Sequence, residues 1–163
     1  MEDDLKLIRM IADYQFGAGS GKALFPDNCK FVLSSTGRIR QILSNEGIRI
    51  ATMKADSGWF TLSILGAKKL HEFFKYPKNR VVVLNEIADF IAEGKNVFAK
   101  HVVDVDKEIR ANDEIIVVNQ NDRLLATGKC VLSAIEMLEM NRGVAVSVRQ
   151  GIKKIKDEKI NFQ

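Results

Sequence analysis

At 163 residues the chain has room for one domain or two small ones, and 46% hydrophobic with 28% charged residues is the mix of a folded globular protein. That mix excludes disordered, collagenous and low-complexity classes. The net charge of +4, from 25 basic and 21 acidic residues, permits a polyanionic partner without requiring one.

The longest apolar runs, such as Val81 to Leu84, fall far short of the roughly 20 residues of a membrane span. The acidic start Met1-Glu2-Asp3-Asp4 does not read as a signal peptide, so a cytoplasmic protein is expected. Cys29, Cys130, His71 and His101 lie far apart with no zinc-site spacing, and neither a metal nor a cofactor is expected.

Proline after an amphipathic run, at Tyr76-Pro77-Lys78-Asn79, divides the chain into residues 1–78, 79–153 and a charged tail at 154–163. Residues 1–78 hold 12 basic and 8 acidic residues, whereas 79–163 hold 13 of each, so the whole excess lies in the first part.

In chain order, Asp4 to Tyr14 reads as a helix with Leu5, Ile8, Ile11 and Ala12 facing inward, ended by the glycines at 17, 19 and 21. Phe31–Ser34 with Arg38–Leu43, and Ile48–Met53 with Trp59–Leu65, flank glycine turns and predict two hairpins. In the last strand Phe60, Leu62 and Ile64 alternate with Thr61 and Ser63, which predicts one buried and one wet face. Ala67, Leu70, Phe73 and Phe74 then recur at helical spacing up to Pro77.

The second part opens with a strand at Arg80–Leu84. A short helix follows, N-capped by Asn85, with Ile87, Phe90 and Ile91 inward and Gly94 as its stop. Val97–Val105, Glu114–Val118, Leu124–Leu132 and Val144–Val148 read as strands, with one helical turn at Ile135–Met140. The class is α+β: a small α+β domain followed by a compact β barrel with a short helix.

Gly17-Ala-Gly-Ser-Gly-Lys22-Ala23 looks like a phosphate loop but lacks its pattern. Phe16 stands where the first Gly is needed, Ala23 stands where Ser or Thr is needed, and the run follows a helix. A flexible connector, or backbone amides meeting phosphate, is the better reading. No constellation of nucleophile, base and acid is visible among His71, His101, Cys29, Cys130, Asp104, Asp106 and Glu108, so no catalytic residue is assigned. The three acids read as a solvated turn, and Cys130 as a buried thiol.

The run Gly94-Lys-Asn-Val-Phe-Ala-Lys100 supports two readings. Its glycine lets a nucleic-acid backbone approach, its lysines and Asn96 suit phosphate and sugar, and Phe98 suits base stacking. Equally, Gly94 is a helix cap, Phe98 is core and the lysines are solvated. Arg142-Gly143 and Arg149 carry the same ambiguity.

Residues 80–152 resemble the PUA domain, an RNA-binding module, through that run together with Asp106-Lys-Glu-Ile-Arg-Ala-Asn-Asp-Glu114, Leu125-Ala-Thr-Gly-Lys129, Ser133-Ala-Ile-Glu-Met137 and Arg142-Gly-Val-Ala-Val-Ser-Val-Arg149. Ala111 and Asn112 depart from the pattern, standing where a Pro and a Gly are expected. The first part resembles the domain preceding PUA in archaeal tRNA-guanine transglycosylases, through Asp13-Tyr-Gln-Phe-Gly17, Ser35-Thr-Gly-Arg-Ile-Arg40 and Gly66-Ala67. The resemblance lacks the catalytic barrel and the zinc cysteines of those enzymes. In that family the PUA domain grips the tRNA acceptor stem while the barrel exchanges a D-arm guanine on the way to archaeosine.

The resemblance implies an RNA face of Gly94, Lys95, Asn96, Phe98, Lys100, Arg142, Gly143 and Arg149, and the basic first part offers additional contacts from Lys22, Arg38, Arg40 and Arg49. It implies a non-catalytic chain that binds tRNA or another structured RNA, neutralises about four phosphates, and serves a separate transglycosylase-type catalytic subunit, with neither DNA nor membrane as partner. The alternatives are a protein assembly module that barely touches RNA and, behind it, an enzyme in its own right.

Overall fold

The structure, a computed structural model, describes residues 2–154, so the charged tail at 154–163 lies almost wholly outside the described residues. The described residues form two compact units that divide between Phe73 and Phe74. The α+β class holds in both parts.

The first unit opens with α1, Glu2–Phe16, whose first turn carries Glu2, Asp3 and Asp4 at the positive end of the helix dipole. Ile8, Ala12 and Phe16, four residues apart, form its buried face. Gly17 and Gly19 have φ of 133° and 89°, and the chain turns straight into a second helix, α2 (Ser20–Leu24).

The glycine run is therefore ordered structure rather than a flexible connector. A Cβ on Gly21 would lie 2.2 Å from the Arg9 carbonyl oxygen, so only glycine lets the two helix backbones touch there. The Gly21 amide already donates to the Asp13 carboxylate at 2.7 Å, and the Ser20 hydroxyl donates to the Ala12 carbonyl at 2.8 Å. Local partners thus engage the Gly17, Ser20 and Gly21 amides and the Ser20 hydroxyl.

Strands β1 (Lys30–Leu33), β2 (Ile39–Leu43), β3 (Arg49–Met53) and β4 (Phe60–Leu62) form an antiparallel meander in that order. Its first two turns repeat one device. Ser34 and Ser44 each donate their N–H across the turn, to the carbonyls of Arg38 and Ile48, and each hydroxyl accepts the returning N–H of the same residue. The repeated Leu-Ser-x-x-Gly at 33–37 and 43–47 encodes it, and the second copy makes a β2–β3 hairpin beyond the two expected.

β4 is shorter than expected because Ser63 is fully buried instead of wet. Its hydroxyl donates toward the Arg49 and Ile50 carbonyls and accepts the Gly66 N–H, so the chain leaves the sheet there and enters α3 (Ile64–Phe73). Gln15 of α1 closes the outer edge of β4, donating to the Phe60 carbonyl at 2.9 Å and accepting its N–H at 2.8 Å.

In the second unit β5 (Arg80–Val83) is followed by a 3-10 turn at Asn85–Ile87, α4 (Ala88–Ala92), β6 (Val97–Phe98), a second 3-10 turn at Ala99–His101 and β7 (Val102–Val105). Then come β8 (Glu114–Val118), β9 (Leu124–Cys130), α5 (Ala134–Glu139) and β10 (Val144–Gly151).

The sheet order is β6-β10-β9-β8-β5-β7, antiparallel except for the parallel pair β5 and β8. The expected strand over 97–105 is thus two strands at opposite edges of one sheet. Only the turn Ala99–His101 joins them, so the sheet curls into a nearly closed barrel. Val81, Val83, Val97, Val105, Ile115, Val117, Ala145 and Val146 fill its interior.

Other expectations need correction. Phe90 is 58% exposed, whereas Ile91 is buried. The Asn85 side chain does not cap α4; it accepts the Gln120 N–H and donates to Asn121, tying the first 3-10 turn to the β8–β9 turn.

Asp106 is buried, not solvated, and accepts from the Asn79 and Glu108 amides. Asp104 accepts the Tyr76 hydroxyl. Ser133 and Glu136 form a capping box at α5, and its hydrogen bonds hold the Glu136 carboxyl below its ordinary value. Asn112 takes φ of 75°, the left-handed conformation a glycine would adopt there.

Candidate nucleic-acid interface

The run 94–100 is placed by two close contacts. Gly94 (φ 108°) turns the chain out of α4, with its N–H on the Ile91 carbonyl at 2.9 Å. A Cβ on Gly151 would lie 2.2 Å from the Ala92 carbonyl oxygen, so the end of α4 rests directly on the end of β10.

From there β6 runs antiparallel to β10, with Phe98 opposite Val144 and Val97 opposite Val146. The Ala99 N–H reaches the Gly143 carbonyl at 2.9 Å, and the Val148 N–H reaches the Asn96 side-chain oxygen at 3.0 Å. Residues 94–100 and 142–143, about 45 positions apart in sequence, thus share one edge of the barrel.

Strand alternation sorts the side chains on that edge. Val97 is fully buried in the core, and its neighbour Phe98 is 44% exposed. Lys95, Asn96, Lys100, Arg142 and Gly143 are exposed, and among the described residues none of the three cations is held in an ion pair. The edge presents three exposed cations and one outward aromatic ring.

Arg149 is engaged elsewhere. Both of its terminal nitrogens reach the carboxylate of Glu114, whose side chain is only 5% exposed, across β9. Its guanidinium holds a buried acid in place, which binds it to the barrel's structure.

Of the first-unit candidates, Lys22 is exposed on α2, Arg38 and Arg40 are exposed at the β1–β2 turn and on β2, and half-buried Arg49 donates to the Thr52 hydroxyl at 2.9 Å. Lys22 lines a shallow groove of about 420 Å³ beside α1, apart from the β-hairpin arginines. Sequence reasoning passed over Met140, 42% exposed two residues before Arg142.

Nothing among the described residues forms a metal-binding group of His, Cys, Asp and Glu. Both cysteines are buried, and burial pushes both thiols up, as suits inert core residues. No helix among the described residues is long and apolar enough to cross a membrane.

Residues 6–77 match the family described as the patch-forming domain C2 of tRNA-guanine transglycosylase, and residues 79–152 match the PUA domain. The chain is a transglycosylase-type C2 domain followed by a PUA domain. It is 49% identical over 154 residues to the tRNA-guanine(15) transglycosylase of Methanobrevibacter smithii, and 48% identical over 150 residues to that of Methanothermobacter thermautotrophicus.

These alignments cover 94% and 91% of this chain but only 23% of each enzyme, so the chain spans about a quarter of the curated relatives it matches. It corresponds to their C-terminal region. Neither matched domain is the catalytic domain of those enzymes.

The fold agrees. A protein from Pyrococcus horikoshii superposes with a TM-score of 0.71 at 24% identity, covering 97% of this chain and 93% of that one. A PUA domain protein from Thermoplasma acidophilum superposes at 0.63 and 18%, covering 92% and 89%. The exposed basic edge described above is the β6–β10 edge of the PUA domain.

Proposed function

We propose that this chain is a non-catalytic, cytoplasmic RNA-binding protein that holds the acceptor stem of tRNA and supports base exchange by a transglycosylase-type catalytic subunit. The observation that carries the reading is the β6–β10 edge, which bears exposed Lys95, Lys100 and Arg142 and an outward Phe98 in a PUA domain whose relatives are named tRNA-guanine(15) transglycosylase.

Cations on such an edge meet backbone phosphates, and an exposed ring stacks on an unpaired base such as those at a tRNA 3′ end. The chain contributes placement. Holding the stem at a fixed position turns a diffusional search for the target base into a local one. The domains are proposed to divide at 78/79, with Arg38 and Arg40 adding contacts from the C2 domain.

The test is a tRNA-binding titration with the full chain. Wild type is expected to bind, and Lys95→Glu with Arg142→Glu to weaken binding at least tenfold with the circular dichroism spectrum unchanged. Unchanged affinity would remove the edge from the RNA site. Absence of wild-type binding would overturn the reading in favour of a protein assembly module.

A further inference from the structure

We propose that the outer face of α1 docks on the part of a transglycosylase-type enzyme that lies upstream of the region matched by this chain; this rests on the proposed function above. Helix α1 has two apolar faces. Ile8, Ala12 and Phe16 are buried in the C2 core. At about 100° per residue, Leu7, Met10 and Tyr14 fall on the opposite side, and they are 51%, 62% and 81% exposed.

Trp59, 39% exposed, extends this stripe by stacking on Tyr14 with ring centroids 5.7 Å apart and planes 12° from parallel. A helix with one side in a core ordinarily turns charge to water on the other. Tyr, Trp and Met are the residues enriched at protein interfaces, where large aromatic anchors carry most of the binding energy.

The position of the stripe selects its occupant. The matched region makes up about a quarter of the relatives, at their C-terminal end, and α1 is its first element. In the relatives, the preceding three quarters of the polypeptide therefore arrive at the start of α1. Leu7 lies five residues into the helix, about 8 Å along its axis, and the stripe continues about 10 Å further to Tyr14. The stripe therefore begins about 8 Å from where that polypeptide arrives, just beyond the acidic first turn of Glu2, Asp3 and Asp4. Asp3, one turn before Leu7, and exposed Lys6, one turn before Met10, flank the stripe at its near end, so the complementary surface is apolar with a rim of both charges.

The probe is the Methanobrevibacter smithii transglycosylase with its matched region deleted, accepted once it shows a cooperative thermal transition. The full wild-type chain is expected to bind it. Met10→Glu with Tyr14→Glu, and separately Leu7→Lys, are expected to weaken that binding at least tenfold while tRNA affinity stays unchanged; all three sites are solvent-exposed, and circular dichroism checks the fold.

Equal binding by wild type and variants overturns the docking surface and leaves the RNA reading standing. Failure of the wild-type chain to bind the probe overturns both the surface and the proposed catalytic partnership. Loss of tRNA affinity in the variants identifies a base-stacking platform instead, and a wild-type dimer abolished by the variants identifies a second copy as the occupant; either overturns the proposal.

Discussion

Phe98 and Arg149 show how single residues change role when their neighbours are known. An aromatic residue in a β-rich run suits either a core or a stacking surface, and only the two-residue strand β6, with Val97 inward, turns Phe98 out. Arg149 follows a PUA-like block and looks like a phosphate ligand, yet its fork closes on buried Glu114, two strands away.

Tyr76 offers a pH test at this scale. The hydrogen bond it donates to Asp104 is the main cause that raises its hydroxyl to about 12, above the ordinary value of 10, with burial second. Because the folded-state value is raised, the contribution of the bond is fully present below pH 10 and lost as pH climbs through about 12. Urea denaturation should find wild type more stable than Tyr76→Phe at pH 8, with the gap closing above pH 10; a constant gap would show that the bond does not govern this titration.

Among elements, those with a single strong periodicity were legible: α1, the β1–β2 hairpin, β8 and the capped turn of α5 lie close to their expected positions. Misreadings fall where local pattern and long-range contact disagree. Phe60 to Ile64 alternates like a strand, but Ser63 finds carbonyls on β3 and starts a helix. Residues 97–105 are β-rich throughout, but the barrel needs a corner at Ala99–His101.

The glycines at 17–21 read as flexible because glycine permits many conformations; the backbone of Arg9 selects one of them. Gly21→Ala should therefore force α2 away from α1 and cost about 2 kcal/mol or more, measured by urea denaturation, through overpacking against backbone that cannot yield. A neutral substitution would mean the two helices separate without cost.

For the whole molecule, charge arithmetic pointed to the first domain as basic, yet the second, whose net charge is zero by sum, also presents exposed cations, on its β6–β10 edge. With Arg149 withdrawn, Lys95, Lys100 and Arg142 remain on that edge. Three phosphates neutralised by that edge contribute about −2.7 to the log-log salt slope, roughly a 40-fold loss in tRNA affinity between 50 and 200 mM salt, and the proposed Arg38 and Arg40 contacts steepen it further. A flat salt response would exclude backbone phosphate as the main contact.

The sequence by itself determined the two-part α+β organisation, the kinship with the C2 and PUA domains of tRNA-guanine transglycosylases, and the residue types available to meet RNA, because periodicity, turn glycines and ordered motif blocks are local properties of the chain. Only the tertiary structure decided which of those residues are available. It joined 94–100 to 142–143 through a strand pairing, assigned Arg149 to Glu114 and left Leu7, Met10 and Tyr14 uncovered on α1. Pairing across a sheet and burial against a distant element are set by contacts between segments far apart in sequence, and spacing along the chain carries no record of them.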